Sequence, residues 1–78
     1  MYFFNVHHHG RAAIDPDGEI LLDLNAAREE AVYAAHDIAA ELIANGDLLD
    51  LSGRIEITDE DGKILLNVAF RDALPIKQ

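Results

Sequence analysis

What this 78-residue chain lacks narrows its chemistry before any pattern is read. It has no cysteine, which removes disulfides, thiolate metal sites and a cysteine nucleophile. Ser52 and Thr58 are its one serine and one threonine, and neither sits in a catalytic motif. Its five glycines are spread singly, so no phosphate-binding glycine loop exists. Basic residues are scarce: six Lys and Arg stand against fifteen Asp and Glu, for a net charge of −9. Binding of a nucleic-acid backbone through a basic face is therefore not expected. No apolar run approaches the ~20 residues of a membrane span. No signal peptide is recognised either, so the expected address is cytoplasmic.

What is present is a phrase said twice. Asp15-Pro16-Asp17-Gly18-Glu19-Ile20-Leu21-Leu22 recurs, from position 59, as Asp59-Glu60-Asp61-Gly62-Lys63-Ile64-Leu65-Leu66. Each copy is an acidic turn closed by glycine and followed by an apolar run, the grammar of a β-hairpin. Both also resemble the opening of a calcium loop, but the ligands such a loop needs further on are missing. Each runs straight into a strand pattern instead. Between the copies, a stretch without Gly or Pro starts after Asp23, a good N-cap, and stops at Gly46.

These signals predict one α+β domain over 1–78: a ββαββ chain forming a four-stranded, mainly antiparallel sheet with one long helix on one face. The strands are placed at 2–8, 19–22, 54–58 and 63–70, the helix at 24–45, and a short tail at 71–78. In that tail Leu74 and Ile76 are expected against an edge. On a helical wheel Leu24, Ala27, Ala31, Ala34, Ala35, Ile38 and Leu42 share the face expected against the sheet. The sheet's other face is expected to show Phe3, Leu21, Leu65 and Ala69, which is apolar for a solvent face and invites a second molecule. Val32, His36, Ala39 and Ile43 form a second stripe on the helix, read either as an extension of the buried face or as a dimer seam.

His7-His8-His9 is the one cluster with ligand chemistry. Strand alternation would put His7 and His9 on one face, where they could chelate a metal, with His36 as a distant further candidate. No third ligand is fixed by spacing. The expectation is no metal and no cofactor, with His7 and His9 as the candidates should one bind.

The opening Tyr2-Phe3-Phe4-Asn5-Val6-His7, the Asp-x-x-Gly before Asp23-Leu24, and Ala26-Ala27-Arg28-x-Glu30-Ala31 resemble a family of short uncharacterised alphaproteobacterial proteins. Gly53 through Gly62 and Val68-x-Phe70-x-Asp72-Ala73-Leu74 resemble that family's second half. It is a domain of unknown function, and the resemblance implies no catalytic or binding residues. From the first turn through the helix, the chain is also similar to HicB-like antitoxin domains, which neutralise a toxin ribonuclease and often dimerise.

A small domain buries only about 60–65% of the surface its unfolded chain exposes and gains from a partner. The expected function is a non-enzymatic protein-interaction module, homodimeric, meeting a second copy or another protein through Phe3, Leu21 and Leu65, with Val32, His36 and Ile43 on the helix. Two alternatives stand beside it. One is an antitoxin-like inhibitor of a basic partner such as a toxin nuclease; the other is a metal- or small-ligand-binding protein using His7 and His9.

Overall fold

Alternating apolar residues build the sheet, and alanines let the helix lie close to it. The computed structural model describes residues 1–74. Strands β1 (Phe3–His8), β2 (Arg11–Ala13), β3 (Arg54–Thr58) and β4 (Ile64–Ala69) form one antiparallel sheet in the order β2-β1-β3-β4. Helix α1 (Leu24–Ala44) covers one face, and a single helical turn, α2 (Phe70–Ala73), follows β4. The fold is α+β with a four-stranded antiparallel sheet and one long helix, as the sequence predicts.

The second strand is not where the pattern puts it. Residues 19–22 form no strand: Glu19 makes an isolated bridge to Tyr2, both N–H···O distances being 2.8 Å. Ile20 and Leu22 are exposed. The strand that pairs with β1 precedes the acidic phrase instead. His9 (φ 53) and Gly10 (φ 72) make a two-residue turn with both φ positive, so His8 faces Arg11 and Val6 faces Ala13. Had that register continued, Tyr2 would face Asp17; it faces Glu19, two residues later. The first acidic phrase is thus an insertion within a long, interrupted hairpin, not its closing turn.

Helix α1 starts and stops as its caps dictate. Asp23 is extended, and its carboxylate accepts the Ala26 N–H at 2.8 Å. At the other end Asp47 N–H reaches Leu42 O at 2.8 Å and Gly46 N–H reaches Ile43 O at 3.1 Å, with Gly46 at φ +76. That is a Schellman closure, and it needs the left-handed residue that glycine supplies. Ala27, Ala31, Ala35 and Ala39 are the buried stripe. Leu24, expected in it, is 38% exposed, and Ala39, expected in the outer stripe, is buried.

The bulk they face comes from β3 and the start of α2: Ile55, Ile57 and Phe70 are fully buried. Phe70 was expected to end a strand over 63–70. Its N–H instead bonds Gly53 O at 3.0 Å and the chain turns into α2, carrying the ring into the core. Burying that one side chain contributes about 2–3 kcal/mol. A Cβ on Gly53 would sit 2.9 Å from both Phe70 and His8 atoms, so the backbone there is in direct contact with the ring. Leu74, expected against an edge, is half-buried and packs against the core cluster, while Ile76 lies outside the described residues.

Two corrections concern the sheet's outer face. Leu21 is half-buried and packs on the core, so it is not on that face. In β4 the register shifts beside Ile57 and Thr58, and Ile64 rather than Leu65 pairs with Thr58. A bulge moves one residue out of the alternation. Leu65 accordingly lines a depression with Met1, Tyr2 and the Asp59–Asp61 turn.

Candidate functional site

The two sheet edges differ in how they are protected. Edge strand β2 is three residues long, wholly exposed, and begins at Arg11. Short length and charge are what blunt an edge against pairing. Edge strand β4 is six residues, Ile64-Leu65-Leu66-Asn67-Val68-Ala69, and carries no charge. A bulge at its start interrupts the regular pairing there. The chain's charge is concentrated elsewhere.

Helix α1 flanks that edge. A groove of about 120 Å³ runs between them, lined by Arg28 and Val32 of α1, Leu66 through Ala69 of β4, and Asp72 and Ala73 of α2. A wider depression beside it is lined by Arg28, Glu29, Val32, Tyr33 and His36. Of the expected helix stripe, Val32 is half-buried against the core and Ala39 is buried, whereas His36 and Ile43 are exposed. Tyr33, beside them, is 69% exposed. His36 Nε2 lies 2.7 Å from Ala73 O, which ties α2 to the helix. Arg28 and Asp72 share the groove without meeting: among the described residues neither is in an ion pair. Sequence reasoning missed both, and the run from Ile64 to Phe70 without a charge was the signal that could have located the edge.

On the outer face, Phe3, Thr58 and Ile64 are successive partners in one cross-strand row. Phe3, half-buried, was expected there. The face is not bare, because residues 14–18 lie against it. Asp15 N–H donates to Asn5 Oδ1 at 3.0 Å, and a Cβ on Gly18 would be 2.8 Å from the Phe3 ring. That cover is why Asn5 and Thr58, polar residues on the side away from the helix, are buried.

The histidines work as a clasp at the opposite end of β1. His8 Nε2 accepts the Asp50 N–H at 2.9 Å, so that nitrogen carries no proton in this geometry. Its ring lies against Phe70 and 4.0 Å from the His9 ring. Burial and the neighbouring His9 hold its pKa below the ordinary value, against an opposing pull from Asp50. His9 sits in the turn and not in the strand alternation, and its Nε2 lies 2.9 Å from Leu48 O. His7 faces Glu56, Nε2 to Oε2 3.5 Å. The pair proposed as chelators, His7 and His9, thus engage different partners. No three His, Asp or Glu among the described residues are grouped to hold a metal.

Asp50 completes the clasp. Hydrogen bonds from the Ser52 hydroxyl (2.6 Å) and the Ser52 N–H (2.9 Å) hold its carboxyl below the usual range. The Ser52 hydroxyl therefore faces a carboxylate rather than a histidine, which is turn geometry and does not activate it as a nucleophile. Among the described residues no helix is long and apolar enough to cross a membrane.

The sequence profile of DUF6894, a domain of unknown function, matches residues 1–71, and the chain belongs to that family. Comparison with curated proteins found no match, and neither did comparison with solved structures.

Proposed function

We propose that this DUF6894 domain is a non-enzymatic interaction module that pairs with a second copy of itself through β4. The observation that carries the reading is the six-residue uncharged edge beside a groove holding one positive and one negative side chain, Arg28 and Asp72. A twofold axis through the middle of β4 would set groove against groove. Arg28 of each copy would then be offered Asp72 of the other, a self-complementary arrangement suited to a closed dimer. Main-chain hydrogen bonds between the two strands would supply the affinity, as in other strand-addition complexes. Val32 and Tyr33 would supply apolar contact on the helix side, and His36 would lie at its rim. Ile43 lies more than two turns further along α1 than Val32 and falls outside the contact.

Light scattering on a sizing column tests this directly. The wild-type chain is expected at twice its 8.6 kDa mass at about 0.1 mM. Asn67→Lys places a charge in the middle of the edge and should return the mass to that of one chain with an unchanged circular-dichroism spectrum. Arg28→Glu should weaken the dimer by about 0.2–1 kcal/mol, and Arg28→Glu with Asp72→Arg should restore it. A wild-type chain that runs as a monomer at that concentration overturns the proposal.

A further inference from the structure

Asn45-Gly46 joins α1 to the loop that carries the histidine clasp. The chain has four asparagines, and the other three, Asn5, Asn25 and Asn67, are followed by Val6, Ala26 and Val68. A side chain on the following residue shields its amide nitrogen, and Gly46 has none. Asn45 and Gly46 are both exposed, and even a Cβ placed on Gly46 would meet nothing within 4 Å. Nothing therefore crowds the approach of the Gly46 nitrogen to the Asn45 carboxamide.

While the helix end is closed, that approach is not made. Asn45 has ψ −2, so the Gly46 nitrogen eclipses the Asn45 nitrogen rather than Cβ, and its N–H is held by Ile43 O at 3.1 Å. Ring closure needs that bond broken and ψ turned. Three N–H groups close the end: Asn45 to Glu41 O, Gly46 to Ile43 O and Asp47 to Leu42 O. All three donors belong to exposed residues. Terminal turns of this kind fray at small cost, and the frayed state is the reactive one.

We propose that Asn45 is a site of spontaneous modification that loosens the end of α1 and the clasp behind it. The Gly46 nitrogen bonds to Asn45 Cγ, the side-chain nitrogen leaves as ammonia with the Gly46 proton, and water opens the resulting succinimide to isoaspartate or aspartate. Opening at the α-carbonyl routes the main chain through the former side chain and inserts one extra carbon between residues 45 and 46. The added methylene moves the Gly46 and Asp47 N–H groups off the carbonyls of Ile43 and Leu42. Residues 48–50 follow directly and hold both partners of the clasp, Leu48 O at 2.9 Å from His9 Nε2 and the Asp50 N–H at 2.9 Å from His8 Nε2. The aspartate product keeps the original backbone and leaves those bonds in place. Asp17-Gly18 and Asp61-Gly62 have the same glycine but a carboxylate before it, a poorer target for an amide nitrogen, and their rearrangement changes no mass. The site stands apart from the β4 edge and does not depend on dimerisation.

Ageing the full chain in warm, mildly alkaline buffer beside an unstructured peptide of residues 41–50 tests it. Intact mass, peptide mapping and enzymatic methylation of isoaspartate are the readouts. The chain should gain the mass difference between NH2 and OH at Asn45 within about tenfold of the time the peptide takes. Asn45→Gln, which would have to close a six-membered ring, should show no gain over that time. The purified isoaspartate fraction should exchange its Asp50 amide several-fold faster than the unaged chain, whereas Asn45→Asp should not. A chain still unmodified after about ten peptide times, or a gain that persists in Asn45→Gln, overturns the site. An isoaspartate fraction with unchanged Asp50 exchange overturns its coupling to the clasp.

Discussion

Asp15 and Asp59 open the same four-residue phrase, and each carboxylate collects N–H groups from its own turn. Asp59 Oδ1 accepts from Asp61 and Lys63, both at 2.9 Å, and every partner of that residue lies within four positions. The chain enters from β3 and leaves into β4, so the turn closes a hairpin between neighbours. Asp15 Oδ1 also accepts two local bonds, from the N–H groups of Asp17 and Gly18 at 3.1 Å, one residue tighter than at Asp59, and the side chain then reaches out of its turn. Its Oδ2 accepts the N–H of Phe4 at 3.2 Å, where a regular strand would offer a carbonyl. One copy joins two strands; the other interrupts one and braces the gap. Turn chemistry decides how a carboxylate folds its own loop, whereas the strand facing that loop decides what the loop is for.

The two glycines should separate the copies most strongly. Both have positive φ, Gly18 at +71 and Gly62 at +83, so alanine at either is strained by roughly 1 kcal/mol. A Cβ on Gly62 meets nothing within 4 Å, while one on Gly18 meets Phe3 Cε2 at 2.8 Å and Met1 Cγ at 3.0 Å. Gly18→Ala must displace the Phe3 ring as well and should cost about 2–3 kcal/mol, against about 1 for Gly62→Ala. Urea unfolding of the two variants measures the difference. Equal losses would mean that the first loop does not lie on the sheet.

The aspartates give a smaller separation. Asp15→Ala strands the Phe4 N–H in a half-buried position and removes two turn bonds, an expected loss of about 2 kcal/mol. Asp59→Ala removes bonds that water can replace, and about 1 kcal/mol is expected. Hydrogen exchange sharpens the test, since Asp15→Ala should speed exchange at Phe4, far from the substitution in sequence. No change there would place Asp15 among ordinary turn residues.

The same contrast explains what was legible in the sequence. The second hairpin and both ends of α1 depend on residues within a few positions of one another, and the expected bounds come within a residue of the observed ones. The first hairpin hid because its turn residues, His9 and Gly10, are not the usual Asn-Gly, and Ala12 and Ala13 are poor strand formers. Ile20-Leu21-Leu22 looked more like a strand, but no strand edge was left for it beyond the single bridge at Tyr2. The face assigned to Leu65 failed for a related reason. One bulge residue is enough to undo an alternation argument. Of the surface proposed for pairing, Val32 and His36 are visible from the helix pattern, whereas Arg28, Asp72 and the β4 edge depend on strand order, which no local pattern reveals.

Acid should release the two braces of β1 in turn, and this is the smallest effect. His8 holds one end by accepting the Asp50 N–H, and a proton on Nε2 would set donor against donor. Because its folded pKa lies below the unfolded 6.5, its contribution is complete above 6.5 and fades as pH falls through the folded value. Asp15 holds the other end. Its burial pushes the pKa up, but hydrogen bonds from Gly18, Phe4 and Asp17 outweigh that and leave it below 3.8. Its contribution therefore persists to lower pH and is lost only beneath 3.8. Urea midpoints at pH 7.5 and 5.5 should fall for the wild type and fall less for His8→Gln, while Asp15→Asn should leave that interval unaltered. If His8→Gln and wild type lose stability equally over that interval, the clasp at Asp50 is not the source of the acid response.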